Sequence, residues 1–318
     1  MSGGQPVAFG EGSVGDEVGS EGAVRRSGIH ARLEEEAYRG LRNLVLAAGG
    51  IDLNRYKDRC VLRRIAVRQR ASGAADLRAY LRLVGRDPIE REHLVKALTI
   101  HVSQFLRNPT TFRAIQTEVL PAILAAKAQV GGRALRLWSV GCACGEEPYS
   151  LALLLSEMAS ETVRRYSTTI YGTDIEPECL RVAREGRYPA ISLKSVPAHW
   201  KQQYFKPVGA DYEVTPKIRR LVYFKLHSIL DPVPFGRIDL AVFRNVLIYM
   251  TDPLQEQVLL RLSEALNSGG YLVLGKVEGL AGSARELFDP VNVPERIYRK
   301  RGQPPSERAP RGLESPWK

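Results

Sequence analysis

The chain has 318 residues, with 46 Lys and Arg against 35 Asp and Glu for a formal net charge of +11, and 44% of it is hydrophobic. This is enough apolar material for an ordinary core, in two domains or one large one, while no apolar run approaches the ~20 residues of a membrane-crossing helix. No basic stretch followed by an apolar one opens the chain, so the expectation is a cytoplasmic protein that is not membrane-embedded. The positive charge attracts anionic partners, but nucleic acid, acidic membrane and glutamate-rich protein all satisfy it. The four cysteines, Cys60, Cys142, Cys144 and Cys179, are scattered; the Cys142/Cys144 pair lacks the second knuckle a zinc site needs, and no metal is expected.

Residues 1–30 are rich in Gly, Ser, Glu and Val and read as a disordered tail; residues 301–318, rich in Pro, Arg and Ser, read the same way. Residues 31–105 read as an all-helical domain. Leu33, Ala37, Leu41, Leu44 and Ala48 recur at helical spacing up to Gly49-Gly50. A second helix is expected from about Asn54, a candidate N-cap, to Ser72-Gly73. A third, capped by Asp76, carries Leu77, Tyr80, Leu81 and Val84, and Pro88 opens a fourth.

Residues 106–300 change period. Leu135–Val140, Thr168–Tyr171, Ile238–Phe243 and Gly270–Leu274 read as strands, with helices from Pro148, through Leu180 and over Gln255–Leu266. Alternation of strand and helix predicts an α/β, doubly wound sheet. Tyr204 to Phe224 breaks it. Tyr212-Glu-Val-Thr and Leu221-Val-Tyr-Phe224 suit a small antiparallel excursion.

The first strand leads into Gly141-Cys-Ala-Cys-Gly145, where glycines let a ligand approach the backbone. The next helix opens with Glu146 and Glu147. Two readings stand: the carboxylates complement the helix dipole, or they face a cationic, hydroxyl-bearing ligand such as a sulfonium with an amino-acid tail and a ribose. Asp174 ends the second strand, where an acid binds ribose hydroxyls or caps the following helix. Arg244-Asn245 ends the third, at the carboxyl edge where ligands bind. Tyr249 beyond it is either within reach of the reacting centre or a core residue.

Gly145-Glu-Glu-Pro-Tyr-Ser150, Thr173-Asp-Ile175 and Arg244-Asn-Val-Leu-Ile-Tyr249 resemble the motifs of CheR chemotaxis methyltransferases. Gly50-Ile-Asp-Leu-Asn-Arg-Tyr-Lys57, Arg63-Arg64 and Val102-Ser-Gln-Phe-Leu-Arg107 extend the resemblance, which runs from about Leu33 to Arg299. It implies a Rossmann-like methyltransferase sheet with an N-terminal all-helical domain and a small inserted antiparallel β-subdomain at about 204–221. It implies S-adenosyl-L-methionine as methyl donor, S-adenosyl-L-homocysteine as product, and glutamate side chains of chemoreceptor-like proteins as acceptors. On this resemblance His101, Ser103, Arg107, Glu147, Asp174, Ser228, Ile229, Arg244 and Asn245 would contact the donor. The chain departs from the family pattern at His101 and Ser228, where Asn is usual, at Ser103, where Thr is usual, and at Gly275-Lys-Val-Glu278, where Gly-His-Ser-Glu is usual.

Glutamate, with a reference pKa near ~4.3, is already ionised and needs no general base. What remains is positioning and partial desolvation. Arg107 is expected to orient a carboxylate by its forked guanidinium, or else to form a structural ion pair; with Tyr249 it is the candidate catalytic pair. Lys57, Arg59, Arg63, Arg64 and Arg68 put like charges four residues apart on the second helix, which costs stability. Either a glutamate-rich receptor helix repays that cost or the run is a solvated face. A nucleic-acid methyltransferase is the first alternative, though no Asn/Asp-Pro-Pro-aromatic motif follows the third strand. A catalytically weak S-adenosylmethionine-binding module is the second.

Overall fold

The structure, a computed structural model, describes residues 18–99, 103–158 and 165–302. Residues 1–17 and 303–318 of the expected tails lie outside that set, as does His101. The described chain forms two compact units: residues up to Asn54 with Asp58–Leu98, and Arg55–Lys57 with everything from Thr99.

The first unit is helical: α1 (Val18–Gly49), α2 (Asp58–Ser72), α3 (Leu77–Arg86) and α4 (Pro88–Leu98). Helix α1 starts inside the stretch expected to be a disordered tail. Once nucleated, a helix gains one hydrogen bond per added residue, so it propagates beyond its packed part. The buried stripe is Ala37, Tyr38, Leu41 and Val45; it shares Ala37 and Leu41 with the expected line and takes Tyr38 and Val45 where Leu33, Leu44 and Ala48 were expected. Helix α1 packs on α3 and α4, and α2 on α3 and α4; the unit's other buried residues include Val61 and Ile65 of α2, Tyr80 and Val84 of α3 and Leu94 of α4. Asp76 caps α3 as expected, its Oδ1 accepting the Ala79 N–H at 2.7 Å. Asn54 does not cap α2. It sits in a 3-10 turn (Leu53–Arg55), and α2 begins at Asp58.

In the second unit, α5 (Pro109–Ala114) runs through a π-helical turn (Ile115–Val119) into α6 (Leu120–Gln129). There follow β1 (Ala134–Val140), α7 (Glu146–Glu157), β2 (Ser167–Asp174), α8 (Pro177–Glu185), β3 (Arg187–Pro189), α9 (Ala198–Tyr204), β4 (Phe205–Val208), β5 (Asp211–Val214), α10 (Pro216–Arg219) and β6 (Val222–Leu226). The unit closes with β7 (Ile238–Phe243), α11 (Asp252–Ala265), β8 (Leu266–Leu274), α12 (Ala284–Leu287), β9 (Phe288–Asn292) and β10 (Ile297–Lys300).

The main sheet has the order β6-β2-β1-β7-β8-β10-β9. The first five strands are parallel; β10 runs antiparallel to β8 and β9 to β10. Every residue of β7 is buried, as a central parallel strand with both faces covered requires. Successive side chains serve opposite faces. Leu137, Ile170 and Val242 pack with Leu151 and Leu155 of α7, while Trp138, Ala241 and Phe243 pack with Leu254, Val258 and Leu262 of α11.

The small antiparallel sheet is real but differs from expectation. It is β3-β5-β4, so it recruits Arg187–Pro189 from outside 204–221. Val222–Leu226 does not belong to it; it is the parallel edge strand beside β2, with Ile170 opposite Val222. Its apolar run, Leu221-Val-Tyr-Phe224, is short and flanked by Arg220 and Lys225, so a hairpin strand and a parallel edge strand read alike there.

Candidate active site

The site lies at the carboxyl edge of the parallel strands, at the switch point between β1 and β7 where the winding order of the sheet reverses. It is a cleft of about 300 Å³ lined by Ser103, Gln104, Arg107, Phe112, Gly141–Ala143, Glu147, Arg244–Val246 and Tyr249.

The loop after β1 is shaped by backbone that glycine tolerates best. Gly145 has φ +94° and ends the loop, and a Cβ there would sit 2.8 Å from Ala183 Cβ and 3.0 Å from the Tyr188 hydroxyl. Asp174, ending β2, binds this loop: its Oδ2 accepts the Ala143 N–H at 2.8 Å and its Oδ1 the Glu176 N–H at 3.0 Å. The carboxylate therefore sets the loop's position and turns the chain into α8.

Arg244 organises the opposite wall. Its guanidinium is buried, donating from Nη1 to Glu147 Oε2 at 3.3 Å and from Nη2 to the Arg107 carbonyl at 2.7 Å and Asn108 Oδ1 at 2.6 Å. It lies 5.4 Å over the Phe112 ring, a cation–π distance. Its Nε is buried without a protein partner. Glu147 Oε1 also accepts the Ser139 hydroxyl at 2.8 Å. Burial pushes the Glu147 carboxyl up, and Arg244 then Ser139 oppose the shift.

Arg107 stands between two left-handed residues, Leu106 at φ +52° and Asn108 at φ +61°. Such backbone outside glycine costs of order 1 kcal/mol or more and persists only where contacts dictate it. Those contacts are the Leu106 N–H on Ser150 Oγ at 2.9 Å and the two Arg244 bonds to residues 107–108. Glu146 is also buried, with Oε2 unpartnered. Burial pushes its pKa up to about 7.

Of the expected site residues, Ser103, Arg107, Glu147, Arg244, Asn245 and Tyr249 share the cleft. Asp174 joins through the Ala143 N–H. Ser228 and Ile229 are not on the cleft wall. They follow His227, whose N–H donates to the Asp174 carbonyl at 3.0 Å, and Ile229 packs in the core behind β1. Lys276 turns from the cleft to pair with Glu295 at 2.5 Å. In the basic run of α2, Arg68 forks onto the buried Glu90, which also accepts the Tyr80 hydroxyl, and Arg64 donates to the Leu98 carbonyl, so these two act within their own unit. Arg59 and Arg63 remain exposed.

One residue not singled out for a role is Glu278. Its Oε2 accepts the N–H groups of Asn245 at 2.9 Å and Gly275 at 2.6 Å, and its Oε1 that of Ile248 at 3.3 Å. It thereby holds Asn245 in its left-handed conformation, φ +62°. The signals available were its position just past the carboxyl end of β8 and its match to the last residue of the family's Gly-His-Ser-Glu pattern.

A doubly wound sheet with a mixed-charge cleft at its carboxyl edge defines a small-molecule-binding α/β enzyme. Residues 101–297 match the CheR methyltransferase, SAM binding domain, and residues 36–99 the CheR methyltransferase, all-alpha domain; the chain belongs to the CheR methyltransferase family. A probable chemotaxis protein methyltransferase of Rhizobium etli is 30% identical over 81% of this chain and 98% of its own length. A chemotaxis protein methyltransferase of Listeria monocytogenes is 32% identical over 74% and 87%. An uncharacterized 104.1 kDa protein of Rhodobacter capsulatus is 32% identical over 83% of this chain, which spans only 27% of that longer protein. The methyl donor is accordingly S-adenosylmethionine. The cleft fits it in chemistry: the orphaned Arg244 Nε suits an amino-acid carboxylate, and the open backbone at Gly141–Ala143 admits a close-lying ligand. Among the described residues no helix is long and apolar enough to cross a membrane.

Proposed function

We propose that this chain transfers the methyl group of S-adenosylmethionine to glutamate side chains of chemoreceptor-type signalling proteins, forming glutamate methyl esters. The observation that carries this reading is the charge of the cleft wall: two guanidinium groups, Arg107 and Arg244, against one carboxylate, Glu147. A net positive wall suits an acceptor that is itself a carboxylate. Bound S-adenosylmethionine supplies an electrophilic methyl group on a sulfonium. The chain's residues do the rest. Arg244 and Asn245 orient the donor's amino-acid end, Asp174 the ribose side, and Arg107 presents its fork to the incoming carboxylate. Because the nucleophile arrives ionised, no residue has to remove a proton; alignment and exclusion of water carry the rate. Tyr249, on the wall beside Asn245, lends a hydroxyl donor to that alignment.

The surface offered to the receptor includes the exposed Arg59 and Arg63 of α2, which match glutamate-rich helices in charge. Labelled S-adenosylmethionine offered together with receptor-containing membranes and with host RNA and DNA tests the acceptor class. Label in a receptor-sized protein band is expected. Label in nucleic acid, or donor binding with no transfer anywhere, would contradict the proposal.

A further inference from the structure

The loop that shapes the cleft carries a thiol pair that methyl transfer does not use. Cys144 lies one residue beyond the three loop residues that line the cleft, and its Sγ is 2.9 Å from the Sγ of Cys179 on α8. That is about 0.9 Å beyond the ~2.05 Å of a disulfide bond. The two residues are 35 apart in sequence; they meet because β1 and β2 are neighbours, so that the loop after one faces the helix after the other. Cys144 is half-buried and Cys179 buried. The Cys144 thiol, as hydrogen-bond partner, and then burial push the Cys179 thiol up. Cys144 is thus the sulfur that solvent reaches and Cys179 the one held behind it, the arrangement of an attacked thiol with a resolving thiol.

We propose that Cys144 and Cys179 are a redox-reversible pair, oxidised to a disulfide by hydrogen peroxide, and that closing the bond weakens S-adenosylmethionine binding. The Cys144 thiolate attacks a peroxide oxygen, forming an S–O bond as the O–O bond breaks, and the departing hydroxide takes up a proton to leave as water. The Cys179 sulfur, giving up its proton, then attacks the Cys144 sulfur; the S–S bond forms, the S–O bond breaks, and a second water leaves. Two thiols are oxidised by two electrons and one peroxide is reduced. A dithiol reductant reverses the change by thiol–disulfide exchange.

Closure has to draw the loop and α8 together, and the loop has nowhere to go. Gly145 is already so close that a Cβ would lie 2.8 Å from Ala183 on α8 and 3.0 Å from Phe224. The Cys144 carbonyl accepts the Tyr188 hydroxyl at 2.6 Å, and the Ala143 N–H is bonded to Asp174 at 2.8 Å. Tightening at Cys144 therefore displaces Ala143 and Asp174 together, both at the donor site. Displacements approaching 1 Å in such a constellation cost up to ~100-fold.

Reduced full-length protein would be treated with hydrogen peroxide, its remaining thiols blocked, and one portion mapped by mass spectrometry while calorimetry follows S-adenosylmethionine binding in another. A peptide joining Cys144 to Cys179, affinity lower by roughly 10- to 100-fold, and recovery of both with dithiothreitol are expected. In Cys179→Ser neither the link nor the loss of affinity should appear; should that variant misfold by circular dichroism, Cys179→Ala replaces it. The inference is overturned if both thiols survive or pass to sulfinic acid unlinked, if the link forms and affinity holds, or if peroxide sensitivity persists without Cys179. The cross-link is read independently of methyl transfer, so the acceptor proposal stands or falls separately.

Discussion

Replacing Glu278 by Gln isolates the contribution of one buried carboxylate to the cleft. The change keeps size and shape but turns one oxygen into an amide NH2. In the native chain the two oxygens accept three backbone N–H groups, from Gly275, Asn245 and Ile248. Glutamine can serve only one side of that set, and its NH2 then faces an N–H donor on the other. A hydrogen bond to a charged group contributes ~1.5–3 kcal/mol, and a buried donor left unpaired loses its full desolvation penalty. Losing one or two such bonds gives an expected destabilisation of about 3 kcal/mol. Because Asn245 is held at φ +62° by this carboxylate, its release also alters the cleft wall. Urea denaturation and calorimetric titration with S-adenosylmethionine, run on the same preparation, should show a lower midpoint and affinity weaker by about tenfold, or ~1.4 kcal/mol. Glu278→Asp, which keeps the charge, should fall between. A glutamine variant with native midpoint and native affinity would refute the claim that Glu278 positions Asn245.

Gly275→Ala should be at least as damaging, because its Cβ would lie 2.5 Å from Glu278 Oε2 and 3.1 Å from the Asn245 N; native S-adenosylmethionine affinity in that variant would contradict the packing. Arg244→Lys keeps the charge but cannot reach Glu147, Asn108 and the Arg107 carbonyl from one planar group, and a loss of ~3 kcal/mol by denaturation is expected for breaking a buried pair. Glu146 has its folded pKa raised from 4.5 to about 7, so folding disfavours its ionised form. The stability it contributes when protonated is full below pH 4.5 and is lost as pH rises through 7. The difference amounts to about 3 kcal/mol. Glu146→Gln should therefore raise the melting temperature relative to the native chain at pH 8 and leave it nearly unchanged at pH 4.5; equal shifts at both would refute the assignment.

Much of the sheet domain was legible because its signals are local. Leu135–Val140 is a short apolar strand that ends in a Gly loop, and the Glu146-Glu-Pro start of α7 follows at once, so period and punctuation agree. β7 stood out because five of its six residues are apolar, Asp239 alone excepted. The edge was harder to read. Leu221–Phe224 is a short apolar run flanked by charge, which suits a hairpin as well as a parallel edge strand; only its pairing with Ile170–Asp174 decides. β9 and β10 were not foreseen, since Asp289-Pro290 interrupts the pattern that would announce a strand. In the site, strand-end residues such as Arg244 and Asn245 were visible because topology places strand ends at the ligand. Glu278 was not, because its role depends on two loops meeting, 33 residues apart at Asn245. Arg68 shows what a charge run does not reveal. A like-charge run suggests a partner for every member, but Arg68 has its counter-charge on Glu90, 22 residues on in sequence.

The most direct test of the account is the chemistry of the methylated product. Purified protein, methyl-labelled S-adenosylmethionine and receptor-containing membranes from the same host should yield receptor label that base releases as methanol. That label should disappear when the receptor's glutamates are replaced by alanine. Label that resists base, or that survives loss of the glutamates, would contradict esterification of glutamate.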